Sequence, residues 1–125
     1  MLMRVLAIDD SRTIRDMVHL TLEREGIETT MAEDGIHGIE VLESLDPRPD
    51  AILTDVNMPR LDGFGFIERV RLMDVFAGIP ILVLTTESAK ELKQRARAAG
   101  ATGWIVKPFD PARLVTALRT VTGLR

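Results

Sequence analysis

The chain has 125 residues, 46% hydrophobic and 28% charged, which suits one globular domain able to bury a core of its own. It contains no cysteine, which excludes a disulfide framework, a thiolate zinc site and cysteine nucleophile chemistry. No apolar run approaches membrane-spanning length, and Met1-Leu2-Met3-Arg4 lacks the pattern of an export signal, so a cytoplasmic protein without membrane contact is expected.

The net charge of -3 conceals an asymmetry. Residues 1–87 carry 8 Lys/Arg against 17 Asp/Glu, net -9, whereas residues 88–125 carry 8 against 2, net +6. A basic region on an acidic chain favours an acidic protein partner over nucleic acid, because only Trp104 and Phe109 offer aromatic stacking there.

In chain order, the first strand-like run is RVLAI (4–8), and it stops on Asp9 and Asp10. Ile14, Met17, Val18 and Leu22 then recur at helical spacing, closed by Gly26. A second strand is expected over 27–32 and a helix carrying Ile36, Ile39 and Leu42 follows it. The third strand, 51–55, stops on Asp55, turns at Pro59 and Gly63, and leads to a helix with Phe64, Ile67 and Val70 that should end by Gly78. The fourth, 80–86, stops on Thr85 and Thr86; its helix carries Leu92, Ala96 and Ala99 and ends at Gly100. The fifth, 103–107, stops on Lys107, and Asp110 with Pro111 opens a last helix carrying Leu114, Ala117, Leu118 and Val121.

This alternation implies an α/β fold, a doubly wound five-stranded parallel sheet with five helices, since parallel strands need crossovers. No linker or repeat divides residues 1–125, so they are expected to form one domain. In such sheets the functional crevice lies beyond the carboxyl ends of the strands. Asp9, Asp10, Asp55, Thr85, Thr86 and Lys107 all fall there.

A strand-end acid often does no more than cap the next helix, and a strand-end lysine is often only solvated; the combination is what carries weight. Carboxylates about 4 Å apart repel by about 4 kcal/mol per pair at an effective dielectric of about 20. They require a cation. A hard divalent ion such as Mg²⁺ suits carboxylate oxygens, and Lys107 adds a permanent positive charge. The chemistry expected is phosphoryl transfer to a carboxylate, with Asp55 as nucleophile and a threonine hydroxyl as hydrogen-bond donor.

The stretches AIDDS, LTDVNMPRLDG, VLTTE and GATGWIVKPF resemble the receiver domain of two-component response regulators from end to end of the chain. The resemblance implies the flavodoxin-like, CheY-like strand order 2-1-3-4-5. It implies that Asp55 accepts a phosphoryl group from a histidine kinase, and that Asp10, Asp55 and the Asn57 carbonyl ligate Mg²⁺, with Asp9 acting through water. It also implies that Lys107 contacts the phosphoryl group, that Thr85 closes on it, and that the Lys107–Pro108 bond is cis. Such a protein is a phosphoacceptor that autocatalyses transfer and hydrolysis, not an enzyme with a separate substrate.

DDSRTIRDMV, DVNMPRLDGF and LTTES look like the single-domain chemotaxis regulators of the CheY class, and the chain stops at Arg125, directly after the fifth helix. Output is then expected through binding, most simply to a flagellar motor switch protein, after phosphorylation by a chemotaxis-type kinase; the protein is expected to be a monomer. Trp104 stands where the family usually has tyrosine or phenylalanine as the partner of Thr85 in its switch. Lys90, Lys93, Arg95, Arg97, Trp104, Arg113 and Arg119 are expected to form the partner face, suited to an acidic amphipathic peptide. Asn57 is neutral and cannot act as a strong base on the attacking water; a phosphoryl label of limited lifetime, lost by hydrolysis, is expected.

Three other readings stand beside this one. A flavodoxin-like cofactor protein needs a loop that receives phosphate after the first strand, where Asp9 and Asp10 would repel it. An aspartyl-phosphate phosphatase needs an acid two residues after its nucleophile, where this chain has Asn57. A phosphate sink or phosphorelay intermediate keeps the chemistry and changes only the output.

Overall fold

A computed structural model describes residues 2–124; Met1 and Arg125, the ends of the expected domain, lie outside the described residues. The elements are β1 (Arg4–Ile8), α1 (Arg12–Arg24), β2 (Glu28–Ala32), α2 (Gly35–Ser44), β3 (Ala51–Thr54), α3 (Gly63–Arg71), β4 (Ile81–Thr85), α4 (Lys90–Ala99), β5 (Gly103–Val106) and α5 (Pro111–Thr122). The strands are all parallel, in the order β2-β1-β3-β4-β5. Five strands, five helices and this order agree with the expected fold.

Side chains alternate across a strand, so a parallel sheet covered on both faces needs strands that are apolar throughout. Val5, Ala7, Leu53, Leu82 and Leu84 pack with Val18 and Leu22 of α1 and with Leu114 and Leu118 of α5. Leu6, Ile8, Ile52, Ile81 and Val83 pack with Leu42 of α2, Phe66, Ile67 and Val70 of α3, and Ala96 of α4. The chain leaves β1 toward β2 on one side and returns to β3 on the other, which puts the crevice between β1 and β3.

Helix starts follow side-chain caps that the sequence displays. Ser11, Asp34, Asp62 and Asp110 accept from the backbone N–H of Ile14, His37, Gly65 and Ala112. Gly26 (φ +72) and Gly100 (φ +114) occupy left-handed positions where helices stop. Gly78 does not: α3 ends at Arg71, and a run of turns covers the next residues. The helix gives way to i→i−3 turns, Leu72 N–H donating to the Arg69 carbonyl and Met73 N–H to that of Val70. Arg71 ties these turns down, its Nε donating to the Gly100 carbonyl (2.9 Å) and its Nη1 to those of Ala77 (2.8 Å) and Ile79 (2.6 Å). Met17, expected on the buried face of α1, is 44% exposed. Among the described residues, no helix is long and apolar enough to cross a membrane.

Candidate functional site

The ladder register builds the site. Ile8 of β1 sits opposite Thr54 of β3, so the next residues, Asp9 and Asp55, leave the sheet side by side. Their backbones remain tied to it: Asp9 N–H donates to Ala32 and Asp55 N–H to Ile8. Asp10 follows on the exposed side of the β1–α1 turn. One carboxylate oxygen from each of Asp9, Asp10 and Asp55 lies within 4.8 Å of the other two.

Lys107 reaches this cluster from the far edge of the sheet. Its Nζ lies 2.6 Å from Asp9 Oδ2 and 3.4 Å from Asp55 Oδ2, and all three side chains are largely buried. One ammonium therefore serves two of three acids. Burial pushes the Asp55 carboxyl above its usual range, and Asp9 pushes it further, while Lys107 and the Val56 N–H, which donates to Oδ1 at 2.8 Å, act against that rise. The donor set is all hard oxygen with one acid exposed, which fits a small divalent cation that keeps part of its water.

Two contacts, one from the cap of α1 and one from its first turn, stiffen the first acid. Ser11 N–H donates to Asp9 Oδ1 (2.9 Å), and Arg15 Nη1 donates to the Asp9 carbonyl (2.7 Å). Arg15 was not singled out by sequence reasoning, although its place one turn after Ser11 aims it back at the strand end. Thr85, buried at the end of β4, accepts at Oγ1 from Glu87 N–H (3.3 Å), and its carbonyl accepts from Lys107 N–H (2.7 Å). Thr86, next in sequence, is exposed. The Lys107–Pro108 bond is cis, as expected.

The β3–α3 loop closes the site from beside Asp55. Asn57 is exposed on it. At Gly63 a Cβ would lie 2.1 Å from the Asp55 carbonyl oxygen, so only glycine allows the chain to return this close to β3. Sequence reasoning also missed a pair at the loop's outer edge: Arg60 donates through Nε and Nη2 to both oxygens of Asp34, at 2.9 and 3.0 Å.

The expected partner face separates into two groups. Lys93, Trp104, Ile105, Val106, Pro108 and Arg113 are among the residues lining a cavity of about 670 Å³ between α4, β5 and α5. Trp104 is half-buried, and its Nε1 donates to the Glu87 carbonyl (3.0 Å). Arg97 lines a smaller hollow beside Lys93 and Trp104, and Lys90 is exposed at the start of α4. Arg119 and Arg95 point elsewhere. Arg119 pairs with Glu25 beyond α1 (3.0 Å) and lines an α1–α5 groove, because it lies a turn and a half past Arg113 on α5. Arg95 stacks on the Phe64 ring, its guanidinium carbon 4.4 Å from the centroid.

Comparison with known proteins gives a consistent result. The model of the response regulator receiver domain matches residues 5–119. Chemotaxis protein CheY1 of Helicobacter pylori (strain J99 / ATCC 700824) is 39% identical over 97% of this chain and 98% of its own length. Among solved structures, the chemotaxis protein CheY4 of Vibrio cholerae is 45% identical, with a TM-score of 0.91 over 97% of this chain and 99% of that one. The receiver domain of the sensor histidine kinase PA1611 from Pseudomonas aeruginosa PAO1 was solved with a magnesium ion coordinated in its active-site cleft. It is 27% identical, with a TM-score of 0.89 over 98% of this chain and 99% of that one.

Proposed function

Because this chain belongs to the response regulator receiver domain family, we propose that it is a phosphorylation switch acting in chemotaxis. Asp55 is the phosphoacceptor. The observation that carries this reading is the group of Asp9, Asp10 and Asp55 oxygens within 4.8 Å of one another, with Lys107 Nζ against two of the acids.

In the reaction, an Asp55 carboxylate oxygen attacks the phosphorus of a kinase phosphohistidine. The P–O bond forms as the P–N bond breaks, and the electron pair returns to the imidazole. Asp10, Asp55 and the Asn57 carbonyl would hold Mg²⁺, with Asp9 acting through water; when bound, the ion neutralises charge on the phosphoryl oxygens. Lys107 then exchanges its contact with Asp55 for one with a phosphoryl oxygen, while keeping Asp9. Thr85 donates its hydroxyl to another. Water attack on the phosphorus regenerates Asp55 and releases phosphate, and the neutral Asn57 supplies no strong base to hasten it.

Output goes through the surface of α4, β5 and α5, where Lys93 and Arg113 border the cavity beside Trp104. That surface suits an acidic amphipathic segment, and the CheY names of the relatives favour a chemotaxis partner such as a flagellar motor switch protein. A movement of Thr85 toward phosphate would loosen its contact with Glu87 N–H and, through Glu87, the hydrogen bond that holds Trp104.

Intact mass after incubation with a small phosphodonor tests the chemistry. A single adduct that requires Mg²⁺ and is absent from Asp55→Asn is expected; an adduct unchanged in Asp55→Asn would overturn the assignment.

A further inference from the structure

The β3–α3 loop carries little internal hydrogen bonding. Among the described residues, its backbone bonds within itself run only from Leu61 N–H to the Pro59 carbonyl and from Gly63 N–H to the Val56 carbonyl. The segment between Val56 and Leu61, which includes Asn57, is also held from outside, by the start of α2 and its cap. Gly35 N–H donates to the Leu61 carbonyl (3.1 Å), and a Cβ at Gly35 would lie 2.4 Å from that same oxygen. Met58 and Leu61 pack in part against the core beneath, and at the outer edge Arg60 grips Asp34.

Three features make this pair more than a surface ion pair. Asp34 is buried, and its Oδ1 already accepts from His37 N–H (2.8 Å) as the cap of α2, so the carboxylate cannot turn away from its helix. Arg60 grips it with two donors in the fork geometry that only arginine provides. Arg60 is also the one non-glycine residue with positive φ among those described, at +67. A backbone in that region is unfavourable for an L residue that carries a Cβ and persists where the surroundings hold it. Here the guanidinium, anchored on a capped helix, is one of those holds.

We propose that Arg60 is a positioning residue for the metal site: its latch to Asp34 fixes the β3–α3 loop, and so Asn57, in the place from which the loop takes part in binding a divalent cation. The inference rests on the reading of the acidic crevice as a Mg²⁺ site. Neither Arg60 nor Asp34 touches the cation. Their effect passes through the loop, as the partners behind first ligands commonly tune metal affinity.

The test is calorimetric titration of the full chain with MgCl₂ alone, alongside urea unfolding of each variant. Arg60→Gly removes the latch and suits a positive φ, while Asp34→Asn removes the charge and keeps a good capping oxygen, so both variants leave the fold a way to form. Each is expected to weaken Mg²⁺ binding about tenfold, the lower end of what such outer partners contribute. The double variant is expected to be no weaker than either single one, since one pair is broken in all three. Arg60→Lys should recover part of the loss. Affinities within twofold of wild type, whatever happens to stability, would make the pair purely structural and overturn the proposal, as would single effects that add in the double variant. Absence of Mg²⁺ binding by the wild type itself would remove the metal site, and the latch's role with it.

Discussion

Asp55 is a carboxylate held where a carboxylate is unfavourable: largely buried, next to Asp9, and only partly compensated by Lys107. Its native titration therefore lies above the unfolded one. A group raised in this way stabilises the fold fully at pH below its unfolded value, and that contribution is lost as pH rises through the native value. In the presence of a chelator, the stability of wild type should fall relative to Asp55→Asn across that window and then run parallel at higher pH. Urea unfolding at a series of pH values measures it; parallel curves throughout would mean that the acid cluster is not strained. Asp34 is the opposite case. Arg60 holds it below the usual carboxylate range, so its contribution is present above the ordinary carboxyl value and is lost only as pH falls through the lowered native one.

Among the described residues, α4 is the one helix whose cap, Ala89, makes no side-chain hydrogen bond to the first turn; the caps of α1, α2, α3 and α5 all do. Lys90 and Glu91 N–H thus receive no side-chain cap at the end nearest Thr85, Glu87 and Trp104, while Leu92 N–H donates to the Ala89 carbonyl (3.1 Å). Ala89→Ser should stabilise the protein by about 1 kcal/mol, read as a higher urea midpoint with an unchanged slope. An unchanged midpoint would mean that α4 opens no earlier than the rest of the fold. The start of α5 was read from Asp110 and Pro111, and Ser11, Asp34 and Asp62 act equally locally, since a cap reaches no more than three residues. The end of α3 was not readable in this way, because the turns that follow it are tied down by Arg71 through carbonyls 6 to 29 positions further along.

For the whole molecule, a cation that binds the folded crevice and not the unfolded chain stabilises by mass action. At about 100 times its dissociation constant, Mg²⁺ should add about 2.7 kcal/mol to wild type. The gain should shrink in Asp55→Asn, which removes one of the three clustered carboxylates, and thermal unfolding with and without Mg²⁺ reads both; equal gains in the two would place the ion elsewhere. By itself, the sequence determined the five strands, the helices between them and the gathering of Asp9, Asp10, Asp55, Thr85 and Lys107 at one edge of the sheet. Local patterning suffices for that, since parallel strands joined by crossovers must present their carboxyl ends together. Only the tertiary structure decided which partner each long side chain takes: Lys107 with Asp9 across 98 positions, Arg60 with Asp34 across 26, and Arg119 with Glu25 across 94, away from the face where it was expected. Lysine and arginine side chains reach several residues in any direction. Their choice is set by the packed arrangement of strand ends and helix faces around them, which no short window of sequence contains.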